Sequence, residues 1–172
     1  MQTITEDYRE LNRKLHLSNE FYGVSGKRYA VPIKTLSDAL NTKDILDYGC
    51  GKRTLESALG FKIKNYDPCI EGFDEIPEAA NIVACTDVLE HIEPDHLDDL
   101  LDDLKRVTKQ IGYFVIATRP AMKFLEDGRN AHLIQKDINW WIPKLESRFD
   151  IGDIKEGNGE FAVIVTPKIL KN

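Results

Sequence analysis

The sequence predicts an α/β protein with three layers: a mostly parallel, twisted sheet, helices on both of its faces, and a C-terminal antiparallel hairpin. Three observations predict this fold class. Strand-like apolar segments alternate with helical ones from residue 45 to residue 149, which is typical of parallel sheets with helical crossovers. Residues 81–85 and 112–118 are almost continuously apolar, as in strands covered on both faces. The last two strand segments flank Gly157-Asn158-Gly159, a composition that favours a hairpin turn.

Two helices are expected before the sheet. Residues 6–22 have a polar helical pattern that ends at Gly23-Val24-Ser25-Gly26, and residues 29–41 form a second helix entered through Pro32. The length of 172 residues suits one domain. We therefore expect residues 1–42 to be a helical segment that covers the site and residues 43–172 to be the α/β core.

The core elements follow from local patterns along the chain. Strands are expected over residues 45–48, 61–67, 81–85, 112–118, about 151–154 and about 160–166, and helices over 54–59, 94–108 and 137–149. The clearest helix has leucines at helical spacing and aspartates on its other faces, with Pro94 at its start. Residues 119–136 are expected to form a long polar loop.

Composition restricts the function classes. The formal net charge is −6, which argues against a general nucleic-acid binder, since such proteins carry a basic face. The three cysteines form no CxxC pair, so we expect neither a disulfide framework nor a zinc ribbon. This cysteine content instead predicts a reducing, cytoplasmic setting. We expect no signal peptide and no membrane span, because no apolar run approaches the roughly 20 residues that a bilayer requires.

The first strand leads into a helix through a turn that is suited to ligand binding, Asp47-Tyr48-Gly49-Cys50-Gly51. Glycines let the backbone turn sharply and approach a ligand closely, and ligands of such sheets lie beyond the carboxyl ends of the strands. Tyr66-Asp67 ends the next strand, where an acidic side chain can accept hydrogen bonds from both ribose hydroxyls of a nucleoside.

A third motif, Thr86-Asp87-Val88-Leu89-Glu90-His91-Ile92, comes after the third strand. Together, the three segments resemble the motifs of class I S-adenosylmethionine-dependent methyltransferases. The three motifs appear in the family's order and cover about residues 45–120. The wider span from 86 to 141 is similar to a group of methyltransferase-like proteins without an assigned substrate. The resemblance implies a trimmed class I fold, S-adenosylmethionine as cofactor and S-adenosylhomocysteine as product. A nicotinamide dinucleotide fold is disfavoured, because the third glycine of its motif is missing.

The resemblance also implies roles for individual residues. Asp47 would reach the amino end of the methionine portion, Asp67 with Pro68 beside it would hold the ribose, and Asp74 would contact the adenine amino group. The other implied cofactor contacts are Gly49, Cys50, Gly51, Thr86 and Asp87. The chain departs from the family pattern in two places. Lys52-Arg53 replaces the third glycine, so that Arg53 needs room near the cofactor, and the interval between Asp67 and Asn81 is too short for the usual helix and strand.

The methyl acceptor is expected near the ends of the third and fourth strands. Methyl transfer requires a positioned nucleophile and a group that takes its proton. We expect His132 to be a general base and Arg129 to bind a carboxylate or phosphate, with Asp87 as the third catalytic candidate. The loop from Arg119 to Lys136 would cover the site, and one of Trp140 and Trp141 would line it.

Two alternatives to a metal-independent enzyme acting on a small polar or anionic metabolite stay open. Asp87-x-x-Glu90-His91 with His132 resembles the metal-binding set of small-RNA 2′-O-methyltransferases, and a similar segment occurs in methyltransferases of catechol-like hydroxyls. Such ligands could bind Mg²⁺, Mn²⁺ or Zn²⁺. The missing glycine and the shortened sheet instead allow a non-enzymatic cofactor sensor or partner subunit. For oligomeric state we expect a monomer or a weak homodimer.

Overall fold

The computed structural model describes residues 2–169. Its helices are α1 (Glu6–Ser18), α2 (Ala30–Ala39), α3 (Thr54–Leu59), α4 (Leu97–Val107) and α5 (Ile138–Glu146). Its strands are β1 (Ile45–Tyr48), β2 (Lys64–Tyr66), β3 (Ala80–Thr86), β4 (Thr108–Ala117), β5 (Phe149–Glu156) and β6 (Glu160–Pro167). Across the described part of the chain, no helix is long and apolar enough to cross a membrane.

The strands form one sheet in the order β2-β1-β3-β4-β6-β5. The first four are parallel to one another, whereas β6 runs antiparallel to both β4 and β5. The predicted parallel core and C-terminal hairpin are therefore confirmed. Because β1, β2 and β3 are parallel and adjacent, their carboxyl ends lie at one edge of the sheet.

Helices cover both faces, as predicted. On one face α4 and α5 pack their apolar stripes, including Leu101, Leu104 and Trp141, into the larger hydrophobic cluster together with the start of α1. On the other face α2 and α3 contribute Ile33 and Leu55 to a smaller cluster beneath β1, β3 and β4. The three-layer arrangement follows, since each face of the sheet buries an apolar helix stripe.

Several elements are shorter than the sequence predicts. Helix α1 ends at Ser18, because Asn19 is extended and its carbonyl and side chain accept hydrogen bonds from the N–H groups of Tyr22 and Phe21. Strand β2 begins only at Lys64, since the N–H of Ile63 donates to Glu56 instead of to a neighbouring strand. Residues 67–79 contain neither a strand nor a helix, so the sheet ends at β2 on this side.

The beginning of α1 is attached firmly to the core. Thr5 caps the helix by accepting a hydrogen bond from the N–H of Tyr8, and its own N–H and hydroxyl donate to Glu93 over 2.8 and 2.9 Å. Ile4 and Tyr8 are buried in the same cluster as Tyr66. Helix α1 therefore packs near the carboxyl end of β2, beside the outermost strand on this side.

Candidate functional site

The glycine turn after β1 is held in place by the end of β2. The N–H groups of Gly49 and Cys50 both donate to the carbonyl of Tyr66, over 2.7 and 2.9 Å. Gly49 and Gly51 have φ angles of 81° and 48°, in the left-handed region that glycine adopts without steric cost. A Cβ added at Gly49 would lie 2.3 Å from Val88 Cγ2, so packing as well as backbone conformation requires glycine there.

Asp67 connects the turn to the next strand end. Its carboxylate accepts the N–H of Gly51 at 3.1 Å and that of Cys69 at 2.9 Å, and the residue is buried. Asp47 is also buried, and burial, followed by the charge of Asp67, raises its pKa to about 7. Two acidic side chains from adjacent strands thus lie close together around the glycine turn.

The end of β3 supplies Thr86 and Asp87. Asp87 has a φ of 56°, a left-handed conformation that is uncommon for a residue with a side chain and often marks functional sites. Its N–H donates to the carbonyl of Val115 on β4. Burial raises the pKa of its carboxyl group, although a hydrogen bond from Ser25 opposes this.

These groups line one cavity of about 410 Å³, a volume in the range of small-molecule and cofactor sites. The predicted site residues in its wall are Asp47, Gly49, Cys50, Gly51, Asp67, Pro68, Thr86, Asp87 and His132. The structure therefore brings together nearly all of the residues that the sequence motifs indicate.

Asp74 and Arg129 are not brought to this cavity, and both expectations are corrected. Asp74 is exposed in the turn between β2 and β3, where it accepts the N–H of Gly72. Arg129 is exposed at the tip of the long loop and pairs with Asp127 over 2.7 Å. Neither residue lines the cavity, although the guanidinium carbon of Arg129 lies 6.0 Å from the centre of the Tyr8 ring.

Arg53 and the paired tryptophans also differ from expectation. Arg53 is exposed, with its guanidinium carbon 4.7 Å from the centre of the Phe73 ring, and it does not line the cavity. Trp141 is fully buried in the core and Trp140 packs against it, so neither forms a wall of the site.

His132 lies in the wall of the cavity and has one ring nitrogen held by a hydrogen bond. Its Nδ1 lies 2.6 Å from the carbonyl oxygen of Arg119. Because a carbonyl only accepts, Nδ1 carries the proton and the lone pair is on Nε2. Burial lowers the pKa of His132, so the ring is neutral near pH 7. A neutral imidazole with a free lone pair meets the requirement for a general base.

Glu90, His91 and His132 form the one cluster with metal-binding spacing among residues 2–169, with ligand atoms within 4.8 Å of one another. Both sides of the His91 ring, however, are engaged: Nδ1 lies 3.3 Å from the Tyr22 hydroxyl, and the ring donates to the Ala131 carbonyl. Burial lowers the pKa of His91 to about 3 and raises that of Glu90 well above its usual value. Glu90 Oε1 accepts the N–H of Ala117, whereas its buried Oε2 has no hydrogen-bond partner among residues 2–169, and Asp87 is not part of the cluster.

Positive charge surrounds the mouth of the cavity. Lys27, Arg28, Arg119 and Lys123 all lie in its wall. Glu160, at the start of β6, bridges two of them, with contacts of 2.9 Å to Arg28 and 4.0 Å to Arg119. The carboxyl group of Asp87 also interacts with Arg28 and lies in the same wall, so two acidic and two guanidinium side chains face one another at this position.

The sequence predicts that residues 1–42 cover the site, but it did not identify the side chains through which they do so. Tyr8, Asn12 and His16 of α1 line the cavity, as does Tyr22 just after it. Their signal is the spacing of four residues, which places all three α1 side chains on one face of the helix. The sequence pattern of residues 6–22 indicates only a polar helix, so this stripe was not identified as part of the site.

The fold and the site together define a class I methyltransferase, and the comparisons agree. The chain belongs to the family described as "Methyltransferase domain", whose model matches residues 24–151. The predicted class of protein and its enzymatic nature are thereby confirmed. No curated protein sequence matches the chain.

Three solved structures illustrate the similarity of fold. The 1,6-didemethyltoxoflavin-N1-methyltransferase of Burkholderia thailandensis, with its substrate and S-adenosylhomocysteine bound, has a TM-score of 0.68 at 16% identity, covering 95% of this chain and 90% of that one. The N-methyltransferase NodS of Bradyrhizobium japonicum, with S-adenosylhomocysteine, has a TM-score of 0.61 at 13% identity, covering 94% and 99%. The magnesium protoporphyrin IX methyltransferase of Synechocystis, also with S-adenosylhomocysteine, has a TM-score of 0.61 at 12% identity, covering 94% and 97%.

Proposed function

We propose that the protein binds S-adenosylmethionine in this cavity and transfers the methyl group, without a metal ion, to a small polar or anionic metabolite. The observation that carries the proposal is the convergence of the glycine turn, Asp67 and Asp87 on one cavity from three adjacent strand ends. The bound S-adenosylhomocysteine of the similar structures supports the same cofactor.

The cofactor's orientation follows from the chemistry of the three strand ends. Each Asp67 oxygen accepts one backbone N–H, and a carboxylate oxygen has a second lone pair for a ribose hydroxyl. The methionine portion would then lie along the glycine turn, between Asp47 and the Thr86-Asp87 segment. This order places the reactive sulfonium toward β3 and β4, where His132 and Arg119 lie.

The transfer itself needs one proton acceptor. A lone pair of the acceptor atom attacks the methyl carbon, and the electrons of the breaking carbon–sulfur bond stay on sulfur, which becomes the neutral thioether of S-adenosylhomocysteine. Nε2 of His132 takes the proton that the acceptor loses. Arg28 and Arg119 at the mouth would attract an anionic acceptor, and Arg119 replaces Arg129 in the role that the sequence suggested.

The cofactor assignment is tested by calorimetric titration with S-adenosylmethionine and S-adenosylhomocysteine. Asp67→Ala is expected to abolish binding of both compounds. The control variant Asp74→Ala, which removes an exposed aspartate outside the cavity, is expected to leave binding unchanged. Equal affinities in the two variants would refute the placement of the ribose at Asp67. Absence of binding by the wild type would refute the proposed function.

The acceptor is tested by incubating the protein and labelled S-adenosylmethionine with fractions of a metabolite extract, separated by charge, in the presence of EDTA. Label is expected in the anionic fraction. His132→Ala should reduce its formation by about 10²-fold or more without changing cofactor affinity. Transfer that requires an added metal ion would favour a metal-assisted enzyme, and retained binding without transfer to any fraction would favour a sensor.

A further inference from the structure

The trimmed sheet leaves the adenine end of the cofactor without its expected contact. In the sheet order β2-β1-β3, Asp67 follows β2, the glycine turn follows β1, and Asp87 follows β3. Adenine and methionine are attached to opposite sides of the ribose. If Asp67 holds the ribose and the methionine portion extends toward Asp87, the adenine must lie beyond β2.

The wall beyond β2 comes from the beginning of the chain. Ile4 and Tyr8 are buried in the same cluster as Cys69 and Ile92, and all four line the cavity. Thr5 attaches this part of α1 to Glu93 through two hydrogen bonds. Apolar surfaces that an adenine ring requires are thus supplied by α1, by Cys69 after β2 and by Ile92 after β3.

We infer that helix α1 recognises the adenosyl part of the cofactor and that Asn12 binds the polar edge of the base. This inference rests on the proposed function and deepens it. Tyr8, Asn12 and His16 form one stripe along the cavity wall. The stripe extends from the Cys69 side to the glycine turn, since a Cβ added at Gly23 would lie 2.7 Å from Cε1 of His16 and one added at Gly51 would lie 2.5 Å from the Gly23 carbonyl oxygen.

The hydrogen bonding of Asn12 is incomplete in a way that suits adenine. Its Nδ2 donates to the Tyr8 hydroxyl over 3.3 Å, and its amide also lies beside the Tyr22 hydroxyl. Its Oδ1 is buried and accepts no hydrogen bond from any of residues 2–169. Buried acceptors without a donor are uncommon and costly. The 6-amino group of adenine is a donor, and a primary amide pairs well with the polar edge of this base.

The test compares S-adenosylhomocysteine with its purine analogue, which lacks only the 6-amino group, by calorimetric titration. The wild type is expected to prefer S-adenosylhomocysteine by about tenfold or more, because the analogue leaves the Asn12 oxygen unpaired. Asn12→Ala should bind S-adenosylhomocysteine about tenfold more weakly and lose the preference. Arg13→Ala should change neither quantity, because Arg13 is on the exposed side of the same helix and pairs with Glu10.

A second variant guards against a simple loss of folding. Asn12→Leu has nearly the same size and no polar atom, and it should also bind the two compounds equally, with a melting temperature close to that of the wild type. A preference retained by both Asn12 variants would overturn the inference while leaving the proposed function intact. A wild type that binds neither compound would instead show that the proposed function had failed.

Discussion

Replacing Gly49 by alanine tests how tightly the glycine turn is packed. The φ of Gly49 is 81°, and a left-handed conformation costs a residue with a Cβ about 1–2 kcal/mol. The new Cβ would also lie 2.3 Å from Val88 Cγ2, and overpacking of this kind costs about 1–3 kcal/mol. Gly49→Ala is therefore expected to lower the free energy of unfolding by about 2–5 kcal/mol.

Two further variants separate the backbone cost from the packing cost. Gly60 has a φ of 73° with nothing within 4 Å of an added Cβ, so Gly60→Ala should lose only the conformational part, about 1–2 kcal/mol. In the double variant Gly49→Ala/Val88→Ala both Cγ atoms are gone, and the contact that stays is with Val88 Cβ at 3.4 Å. The double variant should therefore recover about 1–3 kcal/mol relative to the sum of the single changes.

The assay is urea unfolding with linear extrapolation, combined with thermal melting, in which 1 kcal/mol corresponds to about 2–4 °C for a chain of this size. A loss in Gly49→Ala no greater than in Gly60→Ala would refute the reasoning. So would purely additive effects of Gly49→Ala and Val88→Ala, because they would mean that the two side chains do not meet.

Two other predictions concern buried titratable groups. Burial raises the pKa of Glu90 well above 4.5, so the folded state keeps a proton that the unfolded chain loses, and the stability that this proton provides is lost as the pH rises above about 4.5. Glu90→Gln stays neutral and can still accept the N–H of Ala117. In unfolding experiments, this variant should therefore be more stable than the wild type at pH 8 but not at pH 4. A gain in the free energy of unfolding that did not change with pH would contradict this prediction. For His132, the imidazole NMR signals should titrate with a midpoint below 6.5, since burial disfavours the charged ring. A midpoint above 6.5 would contradict this shift, and one above 7 would leave the ring mostly charged at pH 7 and so unsuited to act as a base.

The parts of the site that the sequence predicted are those that depend on local backbone geometry. Gly49 and Gly51 have the positive φ angles that a sharp turn after a strand requires, and Asp67 and Asp87 follow directly on β2 and β3. Once the strands are known to be parallel, their carboxyl ends must share an edge. The meeting of these residues in one cavity therefore follows from the strand assignments alone.

The direction of loop side chains could not be predicted in this way. Phe124 and Asn130 form an isolated antiparallel bridge, and the N–H of Leu125 donates to the carbonyl of Arg129. This small closed loop holds Arg129 on the outside, whereas Arg119, just after β4, lies in the cavity wall. Both residues have the same chemistry, so only the path of the backbone distinguishes them.

The role of α1 depends on contacts between distant parts of the chain. The attachment of Thr5 to Glu93 joins residues 88 positions apart, and no local pattern indicates such a pair. A sequence pattern shows that α1 has a polar stripe, but not that this stripe lies against the residues after β2. The missing strand was predicted from the short interval after Asp67, and residues 1–42 were expected to cover the site, but the α1 side chains that line the cavity were not identified.

The position of β6 has a consequence for how the protein is made. Although β6 follows the other five strands of the sheet in chain order, it lies inside the sheet between β4 and β5. Its first residue, Glu160, bridges Arg28 and Arg119. Until residues 160–167 have left the ribosome, β4 has an open edge and β5 has no partner strand. A nascent or truncated chain that stops before β6 therefore exposes an unpaired edge, which is prone to aggregation, and its two arginines lack the carboxylate that joins them.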